Sequence, residues 1–174
     1  MQDRLKKLPA LAAEKMKENK KYFQILKKRT PKNLDVVVHQ IHDKIFDKTD
    51  CLACGNCCKT TSPIFTEKDI QRISKHLRMK EVKFISQYLD RDEDDYWVLK
   101  EVPCAFLGAD NYCFIYDVRP KACTEYPHTK RRKFIQLANL TLKNTEICPA
   151  VYDIVEELKK ELVVQVGRKE RHGF

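Results

Sequence analysis

Glycine is scarce in this sequence, with four residues in 174. Few positions can take left-handed turns freely, so most of the chain is expected in regular structure rather than loop. The same scarcity leaves no glycine-rich loop to cradle a nucleotide phosphate. Long apolar runs are also missing. No segment approaches the roughly 18 apolar residues of a membrane span. The first residues, MQDRLKKLPALAAEKMKENKK, are basic but lack the apolar stretch of roughly 7–15 residues that marks a secretory signal. No Ser–His–Asp order, paired-carboxylate pattern, internal repeat or low-complexity segment stands out. These absences point to a cytoplasmic protein without a membrane partner, and they assign no catalytic residue.

Hydrophobic residues make up 43% of the chain, enough to bury a core, and charged residues 34%. The formal net charge of +9 permits anionic partners without identifying one. Against this ordinary background stand eight cysteines. Four of them fall within residues 51–58, CLACGNCC. In a reducing cytosol thiols stay reduced unless they bind metal or do redox chemistry, so this cysteine content favours metal over disulfides.

Two thiolates separated by two residues can reach one metal, because a tight turn folds both side chains inward. Cys51-x-x-Cys54-x-x-Cys57 repeats that knuckle, which recurs in zinc and iron–sulfur sites. Gly55 frees the backbone to turn and to aim amide groups at the sulfurs. Cys58 is the anomaly. Adjacent side chains tend to diverge, so Cys58 is expected to bind a second metal, to bridge two ions, or to be a small buried hydrophobe. The other four, Cys104, Cys113, Cys123 and Cys148, each lie beside a turn-like or structure-breaking element: Pro103, Asp110-Asn111-Tyr112, Arg119-Pro120 and Pro149. All eight are candidate metal ligands. They leave open one four-ligand site with spares, two sites, or a dinuclear site with bridging sulfur. Sulfur-only ligation suits zinc or an iron–sulfur cluster. The surplus of cysteines tilts the reading slightly toward the cluster.

The remaining chain reads as mostly helical. Leu5, Leu8, Leu11, Ala12, Met16, Phe23 and Leu26 recur at helical spacing over residues 3 to about 28, with Pro9 a possible start. Thr30-Pro31 breaks the pattern. A second helix runs from Asn33 to about Asp47. Thr66 and Asp69 approximate a capping box that opens a helix through Leu77, and Val82 to Leu89 form another. Residues 90–95, DRDEDD, make an acidic turn. Tyr96–Val102, Tyr112–Tyr116 and Phe134–Leu142 read as short strands. Cys148-Pro149 opens a last helix to about Val164, and the tail GRKERHGF is expected to fray.

The fold expected is therefore α+β and mostly helical, with a small cysteine-rich metal-binding core and two or three short strands flanked by helices. Residues 1–50 form an N-terminal helical hairpin, 51–149 the metal-binding domain, and 150–174 a C-terminal helix and tail, packed as one globular unit.

The stretches CLACGNCC, PCAFLGADNYCFIYDVRPKACTEYP and the late Cys148 resemble the cysteine-cluster family of zinc- or iron-chelating proteins, the YkgJ family. All eight cysteines fall on its pattern, as do Tyr116, Arg119, Pro120, Tyr126 and Pro127. The resemblance covers residues 51–149. It implies metal binding through the cysteines, with Arg119, Tyr116 and Tyr126 around the ligands. Thr124 departs from the pattern, where arginine often stands. The cluster also resembles a module of flagellin lysine-N-methylases, but methylase activity is not carried over to this much shorter chain.

Other residues carry weaker signals. Arg119 suits a hydrogen bond to a metal-bound sulfur or a buried ion pair that fixes the Arg-Pro turn. His128 follows Tyr126-Pro127, and His39 and His42 share a helix face. All three read more readily as ordinary loop or helix residues than as ligands. The run Asp92–Asp95 lacks EF-hand spacing. Lys130, Arg131, Arg132 and Lys133 form the best anion-binding run, though a lone run of four is ordinarily a solvated face, so a protein partner is expected before nucleic acid. Three functions compete. The first is a cytosolic metal or iron–sulfur protein in electron transfer or metal handling. The second is a zinc-stabilised interaction module whose basic helices and Lys130–Lys133 contact RNA or an acidic protein. The third is a cluster-dependent accessory or enzyme of protein modification.

Overall fold

A computed structural model of the chain describes residues 2–163. The expected frayed tail lies outside those residues. In order along the chain come α1 (Gln2–Lys28), α2 (Leu34–Phe46), α3 (Cys51–Cys54), α4 (Asn56–Thr60), β1 (Ile64–Phe65), α5 (Glu67–His76), α6 (Glu81–Tyr88), β2 (Leu89–Arg91), β3 (Trp97–Leu99), α7 (Lys121–Glu125), α8 (Ala138–Asn144) and α9 (Pro149–Glu161). Short 3₁₀ turns cover Tyr116–Val118 and Phe134–Leu137. The fold is α+β and mostly helical, with one three-stranded antiparallel sheet in the order β1-β3-β2. Ile64 faces Val98 across one ladder and Leu89 faces Leu99 across the other.

The chain divides into two compact units. The helical unit comprises Lys6–Thr49 and Thr129–Phe174. Its core gathers Phe23 and Leu26 of α1, Leu34, Val38 and Ile41 of α2, and Phe134, Val151, Ile154, Val155 and Leu158. α1 begins before Pro9, which lies inside the helix. The missing amide costs one helical hydrogen bond, and burial of Leu8 and Ala12 beside it offsets that loss. The Tyr22 hydroxyl donates to the carbonyls of Leu158 (3.0 Å) and Leu162 (3.1 Å), which close the end of α9. Asp35 accepts from the backbone N–H of Lys133 (2.7 Å) and Phe134 (3.0 Å), so α2 orients the chain that carries Phe134 into the core.

The cysteine unit comprises Asp50–His128 with Met1–Leu5. Phe65, Ile70, Ile73, Phe84, Leu89, Leu99, Phe106 and Ile115 form its core. Thr66 and Asp69 make the expected capping box at the start of α5, each side chain bonding the other's backbone N–H. The Asp92 carboxylate accepts from the N–H of Asp94 (3.0 Å) and Tyr96 (2.8 Å), which makes the acidic run a closed turn between β2 and β3.

Two expected strands are absent among the described residues. Over Tyr112–Tyr116 only Cys113 pairs, with Leu107. Asn111 turns the chain through φ 65°, and no neighbouring strand covers the exposed Tyr112, Phe114 and Tyr116. Phe134–Leu142 instead forms a 3₁₀ turn and α8. Phe134, Ala138 and Leu142 recur every four residues, a helical period that a short apolar run shares with strand alternation.

Phe134 is fully buried. Phe134→Ala is expected to cost about 3–5 kcal/mol, read as a lower urea midpoint of the helical signal. A loss under about 1 kcal/mol would place Phe134 outside the core.

Candidate metal centre

The cysteine knuckle is built from two very short helices joined at one glycine. Asp50 starts α3 by accepting from the N–H of Leu52 (2.9 Å) and Ala53 (3.0 Å). Gly55 ends α3 and opens α4 at φ 57°, and its N–H bonds the Cys51 carbonyl at 2.8 Å. This left-handed step requires glycine for a second reason. A Cβ there would lie 2.8 Å from Asn111 Oδ1 and 2.9 Å from its Cγ.

Asn111 is the residue that brings the second cysteine segment to the first. Its side-chain amide donates to the Leu52 carbonyl inside the knuckle. It sits at the tip of a tight loop closed by Gly108 N–H to the Tyr112 carbonyl (2.7 Å) and Phe114 N–H to the Phe106 carbonyl (2.8 Å). Cys104 and Cys113 flank that loop. A further backbone bond, Cys104 N–H to the Cys58 carbonyl at 2.8 Å, ties its base to α4.

Cys123 enters on α7, which Asp69 and Arg72 of α5 hold in place. Asp69 is almost fully buried. It accepts from the N–H of Thr66 (2.9 Å), the Thr66 hydroxyl (2.6 Å), Arg72 Nη2 (2.6 Å) and the N–H of Lys121 (3.1 Å). Arg72 also donates to the carbonyls of Val118 (3.3 Å) and Arg119 (2.9 Å). The chain entering α7 is thus clamped on both sides.

The thiols of this unit sense one another. Cys57 and Cys58, expected to diverge, place their sulfurs 3.9 Å apart. Two thiolates on one tetrahedral ion with metal–sulfur bonds of about 2.3 Å lie about 3.8 Å apart. The Cys58 thiol is drawn down to about 7 by its hydrogen bond with Cys57, against burial and with help from Lys59. Burial pushes the Cys123 thiol up to about 12, and Cys58, Cys104 and Cys113 push the same way. Cys51, Cys104 and Cys113 are raised likewise, first by burial and then by neighbouring thiols. Among the described residues no three His, Cys, Asp or Glu side chains are closed around a common point as a bound ion would hold them. The donor set nevertheless fits a thiophilic metal. It is all sulfur, and a cation inverts the repulsion that now disfavours the thiolates of Cys51, Cys104, Cys113 and Cys123.

Seven of the eight cysteines belong to the cysteine unit, while Cys148 stands at the start of α9 in the helical unit, packed on that unit's core. The Arg119 guanidinium lies 3.8 Å over the Tyr116 ring and donates to the Tyr116 carbonyl at 2.7 Å. Its charge opposes the rise at Cys113 and Cys123. Tyr126 is half-buried at the end of α7, edge-on to His128 with 6.2 Å between ring centroids. His128 Nδ1 lies 3.8 Å from Glu125. His42 bonds Thr129 at 2.7 Å in the helical unit. The basic run is partly engaged. Lys130 pairs with Asp43 at 2.6 Å, and the Lys133 backbone bonds Asp35. Arg131 and Arg132 complete the run. Asn111 and Arg72 escaped the sequence reading. The Asp110-Asn111 pair signalled a left-handed turn, whereas nothing local announced what Arg72 would reach.

The model of one protein family, "CxxCxxCC: Putative zinc- or iron-chelating domain", matches residues 50–149, more than half of the chain. The chain belongs to the CxxCxxCC family. Membership makes it a metal-binding cysteine-cluster protein whose cofactor is of the zinc or iron class. No curated protein and no solved structure is detectably similar to it. No helix of the described residues is long and apolar enough to cross a membrane.

Gly55→Ala combines left-handed strain with a clash and should destabilise the cysteine unit by about 2 kcal/mol or more. Asn111→Ala removes the clashing atoms, so the double variant should be less destabilised than the sum of the singles. Strict additivity in urea unfolding would disprove the docking described here. A second test uses pH. Burial alone would raise the Asp69 carboxyl, but the hydrogen bonds from Thr66, Arg72 and Lys121 outweigh it and hold it below the ordinary 3.8. The unfolded chain therefore takes up the proton first as pH falls. The stability Asp69 contributes is complete above pH about 5 and disappears as pH drops through its depressed folded value. Asp69→Asn should be less stable than the natural chain at neutral pH and should lose less on acidification. Parallel pH profiles would contradict this.

Proposed function

We propose that this protein carries an iron–sulfur cluster on its cysteine thiolates, with Cys51, Cys54, Cys57, Cys58, Cys104, Cys113, Cys123 and Cys148 as the ligand candidates. The carrying observation is the 3.9 Å separation of the Cys57 and Cys58 sulfurs within a sulfur-only donor set. Seven thiols in one unit exceed the four that a single structural zinc takes. The Cys51–Cys57 spacing is that of iron–sulfur segments. When bound, a cluster supplies one-electron redox chemistry. The chain's own part is to gather the thiols, hold the loop at Asn111 and place a positive charge, Arg119, near two of them. The protein then acts in the cytoplasm in electron transfer or metal handling, or as an accessory to a modifying enzyme.

Metal content and visible absorption of protein purified without oxygen test this reading. Brown protein with iron and inorganic sulfide is the expected result, with at least half the iron lost in Cys58→Ser. Colourless protein with stoichiometric zinc would overturn it and leave a zinc-stabilised interaction module. Cys148→Ser, read by the same absorption, reports whether the helical unit supplies a ligand. Chelation should also separate the two units. Amides of Asp50–His128 are expected to exchange at least about 100-fold faster without metal, while the helical unit keeps its protection. Equal loss of protection in both units would show that the metal is not local to the cysteine unit.

A further inference from the structure

Positive charge is distributed unevenly along the chain. Asp50–His128 holds 11 lysines and arginines against 13 aspartates and glutamates, whereas the whole chain is +9. The excess therefore belongs to the rest of the sequence, and α1 concentrates it on one side. Successive helix residues rotate by about 100°. Lys6, Lys17, Lys20, Lys21, Lys27 and Lys28 consequently fall within an arc of about 120°, and all six are exposed. The opposite side buries Leu8, Ala12, Phe23 and Leu26. Within the arc the gaps are filled by Ala10, Ala13 and Gln24, which are short or uncharged. Glu14 lies at its edge. Asp3 falls on the same side as Lys21 but precedes the first lysine of the row, and Glu18 is already engaged by Lys15 and Lys159. Among the described residues none of the six lysines makes an ion pair. The row runs about 33 Å along the helix.

We infer that this lysine face of α1 binds the phosphate backbone of duplex nucleic acid. A duplex presents about 20 phosphate charges over that length, so an extended row of cations meets an extended row of anions. The composition of the face argues against the other anionic partners. Protein interfaces draw on aromatic and arginine anchors and are depleted in lysine, and the face has no such anchor. An interfacial membrane helix needs an apolar side to insert, and the apolar side of α1 is already buried, with Phe23 and Leu26 in its own unit's core. Single strands are gripped by base stacking on aromatic rings, which the face also lacks. Lysine is a point charge without the planar fork that reads a base edge, so recognition is of backbone and not of sequence. The basic run Lys130–Lys133 is a poorer candidate, since Lys130 is held by Asp43. The inference rests on α1 alone and stands whether or not the metal reading does.

Fluorescence anisotropy of the full chain with labelled mixed-sequence duplexes of about 20 base pairs, DNA and RNA, tests it. With six phosphate contacts, affinity is expected to fall roughly 400-fold between about 50 and about 150 mM salt. Replacing Lys17, Lys20 and Lys21 together by Gln should weaken binding at about 50 mM salt at least about tenfold and reduce the logarithmic salt slope by about 3. Circular dichroism confirms that the variant is folded. Lys6→Gln with Lys28→Gln, at the two ends of the row, provides a second variant that should lose about 2 from the slope. No duplex binding at low salt would overturn the proposal. So would binding that ignores both variants, or a loss that follows Lys130, Arg131 and Arg132→Gln instead. Binding to vesicles with an anionic lipid surface but not to duplex would overturn it in favour of a membrane partner.

Discussion

Crowding of thiols is the constraint on which the cysteine unit depends. Each sulfur is partly withdrawn from water, and each thiolate that forms raises the cost of the next. Cys123 is raised by burial first and then by Cys58, Cys104 and Cys113, whereas Cys58 is lowered by its hydrogen bond with Cys57. Such an arrangement is uneconomical for a protein that leaves its cysteines protonated, because small apolar residues would fill the same space. It becomes reasonable once a cation belongs at the centre. The gathering of these thiols and the family's metal class therefore describe one physical requirement from two directions.

Polar contacts to the backbone do much of the gathering, alongside the apolar core against which Cys104 and Cys113 pack. α3 and α4 are too short to be stable through their own hydrogen bonds. They are held by Asp50 at one end, by the left-handed glycine in the middle, and by Asn111 and the Cys104 amide from a distant loop. Polar contacts are directional, so they position sulfur atoms more narrowly than apolar packing does. The helical unit shows the opposite economy. There, interlocked apolar side chains carry the fold, with Tyr22 and Asp35 satisfying backbone groups where helices end.

Much of this was legible from the residues. The helices of the first 46 residues, the capping box at Thr66 and the last helix all follow from apolar spacing and local capping chemistry, which act over a few residues. The cysteine spacing carried the family resemblance for the same reason. Phe134–Leu142 misled because a spacing of four satisfies both helix and alternating strand over so short a run. Tyr112–Tyr116 misled because strand-forming side chains do not supply a partner strand. Asn111, Arg72 and the second role of Asp69 act across 46 to 59 residues of sequence, and no local pattern encodes a contact at that range.

The shared carboxylate of Asp69 has a consequence for how this chain can change length. It closes the start of α5 and, with Arg72, fixes where α7 begins. The turn at Asp92–Asp95 is an exposed connection, so extra residues there leave both ends of that clamp in place, whereas the loop tip near Asp110 is held by Asn111. One residue added between Pro120 and Cys123 has no such freedom. It would rotate the thiol by more than a quarter turn about the helix axis while Lys121 remained pinned. Length variation among chains built on this plan should therefore collect in the turn at Asp92–Asp95, and stop at the clamp itself.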